Sequence, residues 1–216
     1  MRRSVSSLWI GPSLSLIEQL CVRSYLDHGH EFHLYTYRPV ANVPEGATLR
    51  DAREILPESS VYRTKVNGLA AFSDYFRWSM LARQGGMWVD MDMICIRPFD
   101  FDRELVFGVE SANGGVGNAI LGFPEGHFLA AILADACENV NRFQPIDSGR
   151  ARVKKALRAL LLGKTRSRLH VRHGEPGGPD YFTMQLRHHG LIDQAAPQDW
   201  FYPVNYWEWK SIYEPR

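Results

Sequence analysis

No stretch of this 216-residue sequence approaches the roughly 20 consecutive apolar residues that a membrane-spanning helix requires. The expectation is a soluble protein. The N-terminus, MRRSVSSLWIGPSLSLIEQL, sets two arginines before a partly apolar stretch, but Pro12 and Glu18 interrupt it short of signal-peptide length. Cysteine is scarce: Cys21, Cys95 and Cys137 are widely spaced, odd in number and set in the apolar contexts LCV, ICI and ACE. That argues against a disulfide framework and fits reduced thiols in a reducing, cytoplasmic compartment. Excess charge is missing as well. A formal net charge of +1 gives no electrostatic case for nucleic acid as a partner. With no internal repeat and no sharp break in composition, residues 1–216 read as one domain.

What is present is a core-forming sequence, 45% hydrophobic and 23% charged. SVSSLWIG reads as a first strand, and SLIEQLCVRSYLDHG follows with apolar residues at Leu16, Leu20, Tyr25 and Leu26 in a helical rhythm closed by Gly29. EFHLYTY alternates as a second strand. Strand, helix and strand within about forty residues predict an α/β fold built on a parallel sheet. Residues 39–68 are rich in Pro and Gly, with a short helical piece around DAREIL. The strongest helix runs from about Leu69 to Gln84 and stops at Gly85. MWVDMDMICI then reads as a strand ended by Pro98, ELVFGVE as another, and NAILGFP as a short apolar run. HFLAAILADACENV and YFTMQLRHHG read as helices.

Chemistry concentrates in SDYFRWSMLARQGGMWVDMDM, residues 73–93. On a strand, residues i and i+2 share a side, so continued extension through the run would point Asp90 and Asp92 the same way. Two neighbouring carboxylates repel and are costly to desolvate unless a cation offsets them. Oxygen ligands suit Mg²⁺ or Mn²⁺, with open positions left for phosphate oxygens. On the preceding helix Asp74 and Arg77 lie at i and i+3, on one face. The Gly85–Gly86 turn sends the chain straight back, so Arg77 can sit near the carboxylates and a bound diphosphate while Asp74 receives hydroxyls. An isolated DxD is a common surface pattern. The ordered set of helix, double glycine, apolar strand and DxD is far more restrictive.

That set, FSDYFRWSMLARQGGMWVDMDMICIRPFD from Phe72 to Asp100, resembles glycosyltransferase family 32, the enzymes with a DXD sugar-binding region. The resemblance extends to SLWIG and more loosely to NAILGFPEGH and GPDYFT, and is nearest to bacterial polysaccharide-synthesis members. It implies a GT-A fold, a Rossmann-type sandwich with a central, mostly parallel sheet flanked by helices. The nucleotide-sugar half would be about 1–100 and the acceptor or lid half about 101–216. It implies a nucleoside diphosphate sugar as donor, a glycan or lipid-linked saccharide as acceptor, Mn²⁺ (or Mg²⁺) as cofactor, and retention of anomeric configuration. Carried over, Asp92 and Asp90 are the metal carboxylates, Asp74 and Arg77 hold the donor sugar and its phosphate side, Trp9 lies beside the base with Ile10 and Gly11, and Asn118 contacts a sugar. Many relatives take a further metal ligand from a C-terminal histidine; here no histidine follows His189, and Trp207, Glu208 and Trp209 are candidates for a closing lid.

Other signals are weaker. Residues 150–168 form a basic amphipathic segment, with Val153, Ala156, Leu157, Leu160 and Leu161 on one side among Arg150, Arg152, Lys154, Lys155 and Arg158. Such a helix can lie peripherally on an anionic membrane; the ordinary expectation is a surface helix with its apolar side toward the core. His170, His173, His188 and His189 lack zinc spacing. SANGGVGNA lacks the GK[ST] of a phosphate loop. A DxD phosphohydrolase is a competing reading, although Ile94 replaces the expected Thr or Val. A sugar-nucleotide-binding module without turnover is another.

Overall fold

The computed structural model describes residues 4–66, 68–171, 176–205, 207, 208 and 210, apart from the side chains of 164 and 165. Strand β1 (Val5–Trp9) leads into helix α1 (Leu16–Asp27), capped by Ser15 and Glu18 in a reciprocal capping box. Strands β2 (Phe32–Thr36) and β3 (Thr48–Asp51) extend the sheet to one side. Helix α2 (Ala70–Gln84) then brings the chain to β4 (Gly86–Val89) on the other side of β1, and β5 (Ile120–Phe123) closes that edge. The order is β3-β2-β1-β4-β5, parallel except for the antiparallel β4–β5 pair. Helices α3 (Phe128–Glu138), α4 (Gly149–Leu169), α5 (Pro179–His188) and the short α6 (Gln198–Phe201) follow.

The sheet separates two cores, and strand alternation shows how. Met87, Val89 and Ile120 join Val5, Phe32 and Leu34 on the face covered by α1 through Cys21, Val22 and Tyr25. Trp88, Leu121 and Phe123 point to the opposite face, where Phe72, Phe76, Trp78 and Leu81 of α2 meet Leu129 and Leu133 of α3 and Phe182 of α5. Helix α2 is buried nearly all round because it lies between the sheet and α3.

Several expectations change. Strand β3, an exposed edge of sequence TLRD, carries no alternating pattern that would announce it. The run read as a strand through Ile96 pairs only as far as Val89. ELVFGVE makes isolated bridges, Val106 with Gly122 and Val109 with Val116, instead of a strand. On α1, Leu16 and Leu20 face solvent, and the buried side is Cys21, Val22, Ser24 and Tyr25.

Helix α4 departs furthest from the ordinary expectation. Its apolar residues Val153, Leu157, Leu160 and Leu161 are exposed, and the side chains it buries among the described residues are Arg158 and Ser167. The helix is broken at Gly163, whose φ of 64° is non-helical. No helix among the described residues is long and apolar enough to cross a membrane.

Candidate active site

Two glycines set the geometry. Gly85 (φ 61°) and Gly86 (φ 91°) both occupy left-handed backbone between α2 and β4. A Cβ on Gly85 would lie 2.4 Å from the Glu125 amide nitrogen, so only glycine turns here beneath the β5–α3 connection. The chain leaves β1 toward β2 on one side and returns through β4 on the other. The crevice at the carboxyl ends of β1 and β4 is therefore the topological switch point, where open α/β sheets bind ligands.

Asp90 follows β4 directly, anchored by its amide to the Ala119 carbonyl at 2.8 Å. It continues the alternation that aims Trp88 at α2, and there it meets Arg77. The guanidinium grips it with both arms, Nη2 to Oδ1 at 2.9 Å and Nη1 to Oδ2 at 3.2 Å. The Trp88 indole donates to the same carboxylate at 2.8 Å. Nη1 also donates to the Asn118 carbonyl and Nη2 to Ser73 Oγ at 3.3 Å, while Nε lies 3.5 Å from Asp74 Oδ1 as an ion-pair contact without a hydrogen bond. Asn118 Nδ2 donates to Asp74 Oδ1 at 2.9 Å and to the Gly177 carbonyl at 3.0 Å. Asp74, Arg77, Asp90 and Asn118 thus form one network, with an Arg77 side chain only 5% exposed.

Electrostatics follow from that burial. Desolvation pushes the Asp90 carboxyl up to about 6, against the pull of Arg77 and Trp88, and the neighbouring charges of Asp92 and Asp74 push the same way. Burial opposes the charge on Arg77, but Asp90 and Asp74 outweigh it and hold the guanidinium protonated.

Asp92 does not continue the strand beside Asp90. A turn closed by Met93 N–H to the Asp90 carbonyl at 3.1 Å redirects the chain, and the Cys95 amide then bonds Ser24 Oγ on α1 at 2.9 Å. Asp92 is left exposed at the mouth, without a hydrogen bond or ion pair to the described residues. The shared-face expectation for the two aspartates therefore gives way to an inward Asp90 and an outward Asp92.

Among the described residues no group of three or more His, Cys, Asp or Glu side chains is gathered to hold a metal. Of the C-terminal lid candidates, Trp207 is half exposed and Glu208 accepts from Asn205 Nδ2 at 2.7 Å; Trp209 lies outside the described residues. Of the histidines, His170 caps the end of α4, His188 and His189 face each other with ring centroids 4.8 Å apart, and His173 also lies outside them. A hard cation nevertheless fits the donor set. Asp74 and Asp90 both face the Arg77 guanidinium, and the charge of Asp92 also acts on Asp90, so negative charge exceeds positive among these side chains. Mg²⁺ and Mn²⁺ commonly take one or two carboxylates and complete their shell with phosphate and water.

Trp9, Ile10 and Gly11 lie apart from the Arg77 network and line a cleft of about 540 Å³ at the ends of β1 and β2, together with Tyr37, Arg38 and Arg63. Trp9 is held by its indole N–H donating to the Ser13 carbonyl at 3.1 Å. A Cβ on Gly11 would come within 2.9 Å of that indole, which explains glycine there. Continuing the register Ser6 to Trp88 sets Asp90 beside Leu8, one residue before the cleft wall begins at Trp9.

Sequence reading missed several members of the network. Trp88 was detectable, since it precedes Asp90 by two residues and must share its side. The Gly177 carbonyl, which also accepts from Trp78 Nε1 at 2.7 Å, comes from a Gly/Pro stretch without pattern. Tyr202 packs against Gly117, where a Cβ would lie 2.5 Å from its hydroxyl. Burial and the charge of Asp90 push that phenol well up.

Comparison with known proteins agrees with this geometry. Residues 30–107 match the family model of a glycosyltransferase sugar-binding region containing the DXD motif, which spans β2 through Asp90 and Asp92. The solved PaToxG glycosyltransferase superposes with a TM-score of 0.54 at 16% identity, covering 87% of this chain and 68% of that one. No curated protein sequence matches the chain significantly. The structural likeness establishes a GT-A-like α/β fold, and the family match supports a glycosyltransferase.

Proposed function

We propose that this chain transfers a hexosyl group from a nucleoside diphosphate sugar, a UDP-sugar by preference, to a hydroxyl of a glycan or lipid-linked acceptor with retention. It would do so as a member of the family-32 type. One observation carries the reading: β4 delivers Asp90 into the buried Arg77–Asn118–Asp74 network at the switch point, with Asp92 open beside it. The neighbouring cleft, at about 540 Å³, is within the range of small-ligand sites.

In this reading Asp92 holds a divalent cation, Mn²⁺ or Mg²⁺, directly. Asp90 assists through the lone pair that Arg77 and Trp88 leave free, since a carboxylate accepts about four bonds. The bound cation supplies positive charge where the diphosphate gathers negative charge as it leaves. Arg77 acts as a positioning residue: its two Nη groups donate to Asp90, the Asn118 carbonyl and Ser73, and its charge faces Asp74, which fixes Asp90 and draws the Asn118 carbonyl into place. Asp74 and Asn118 orient donor hydroxyls, and Trp9, Ile10 and Gly11 take the base. Among the described residues the network offers no dedicated nucleophile, which favours same-face attack of the acceptor. The grip of Arg77 and Trp88 on both oxygens of Asp90 also disfavours a phosphohydrolase, whose first aspartate must attack.

The test is transfer and donor hydrolysis with radiolabelled nucleotide sugars and Mn²⁺. Asp92→Ala should lose about 100-fold or more of the metal-dependent rate. Full activity in that variant refutes the metal role. Binding without turnover on any donor assigns the chain to a sugar-nucleotide-binding module. Saturating donor should also stabilise the wild type, by about 2.7 kcal/mol at a hundredfold excess over Kd.

A further inference from the structure

Helix α4 is mounted with its polarity reversed. Val153, Leu157, Leu160 and Leu161 recur at i, i+4, i+7 and i+8, one face of a helix, and are 60%, 53%, 82% and 75% exposed. The inward side is held by charged groups instead. Lys155 Nζ reaches both oxygens of the buried Asp147 at 2.9 and 2.7 Å and the Arg142 carbonyl at 3.0 Å. Arg158 donates to Asn141 Oδ1 at 2.7 Å and to the Val140 carbonyl. Rolling the apolar stripe inward would break these bonds and strand Asp147, so the outward stripe is a fixed feature of the fold.

The charge around the stripe indicates what covers it. Residues 149–169 contain eight basic side chains, Arg150, Arg152, Lys154, Lys155, Arg158, Lys164, Arg166 and Arg168, and no acid. The whole chain sums to only +1, so the remainder of the molecule is net negative. Arg150, Arg152 and Lys154 are exposed on the helical segment that carries the stripe, and Arg166 is exposed just beyond the break at Gly163. An apolar stripe flanked by cations, on a helix free of acids, is complementary to an anionic lipid surface: leucines enter the acyl boundary and arginines meet the phosphates. We propose that α4 is a membrane-docking element that seats this protein on an anionic bilayer through Val153, Leu157, Leu160 and Leu161. This goes beyond transfer chemistry and does not depend on it.

The experiment is sedimentation of the 216-residue chain with phosphatidylcholine vesicles and with equimolar phosphatidylcholine and phosphatidylglycerol. Binding to the mixed vesicles alone, weakened by added salt, is expected. Leu157→Glu with Leu160→Glu should lower the partition coefficient about tenfold or more at an unchanged melting temperature. Both positions are exposed, so folding is not at stake. No sedimentation with either vesicle overturns the proposal, as does equal binding to both, or unchanged binding by the double variant. A concentration-dependent dimer that the same substitutions disperse also overturns it, by giving the stripe to a second copy.

Discussion

Helices α2 and α4 each bury a cation, to opposite ends. In α2, Arg77 lies in a helix covered on nearly every side by sheet and α3, and its donors assemble the carboxylate cluster. In α4, Lys155 and Arg158 are the inward anchors of a helix whose apolar residues look out. A buried cation is costly unless fully paired, and both regions pair it with carboxylates and carbonyls. In α2 the pairing shapes a cleft; in α4 it fixes which face the protein shows.

Removing the cations should expose this division. Arg77→Met leaves Asp90 without its partner and should cost about 3–5 kcal/mol in denaturant unfolding, and transfer should disappear with it. Lys155→Met strands Asp147, only 5% exposed, and should cost about 3 kcal/mol while transfer continues in the folded fraction. A cost below about 1 kcal/mol for Lys155→Met would show that its pairing does not anchor α4.

The two regions also differ at their glycines. Gly85→Ala places a methyl against the backbone of Glu125 in a left-handed conformation, and about 2–4 kcal/mol should be lost. Gly163, at the break in α4, has a similar φ of 64° but no neighbour within 4 Å of a new Cβ. Gly163→Ala should cost no more than about 1 kcal/mol, since the exposed backbone can relax. Equal losses in chemical denaturation would mean that strain alone, and not the close approach to the β5–α3 connection, explains Gly85.

These contrasts show what the sequence could convey. The α2–Gly–Gly–β4 unit was legible because each local signal agreed with the fold: a helical rhythm, a glycine stop, an apolar run, then Asp90. The turn at Asp90–Met93 was not, because Met91, Met93 and Ile94 read as more strand, and only the bond from Cys95 to Ser24, distant in sequence, turns the chain aside. The sequence marks Arg77 as a candidate site residue, but its engagement with Ser73, Asn118 and Asp90 together depends on tertiary placement. The face of α4 was misjudged for a related reason. An amphipathic pattern states that two faces differ, and the choice of inward face fell to Asp147 and Asn141, outside the helix.

The smallest expected effect lies at the helix caps. The Nδ1 of His127 caps α3, accepting from the Leu129 amide at 3.3 Å, whereas α4 is capped by Ser148 Oγ, accepting from Ala151 at 3.2 Å. Only a neutral imidazole can accept that bond. Burial lowers the His127 pKa below its ordinary value, with Glu104 opposing. The unfolded chain therefore takes up the proton first, and stability falls as pH falls. The cap's contribution is complete above the ordinary imidazole value of about 6.5 and is lost as pH drops through the lower folded-state value. A cap is worth about 1 kcal/mol, or about 2–4 °C of melting temperature in a chain of this size. His127→Ser keeps an acceptor that does not titrate. Melting curves at neutral pH and at pH 5 should therefore show a smaller acid loss in the variant than in the wild type, beside a constant offset from the lost ring contacts with Phe123 and Phe128. Ser148→Ala, in contrast, should lower stability equally at both pH values. An identical acid loss in His127→Ser and the wild type would remove His127 as a pH-sensitive cap of α3.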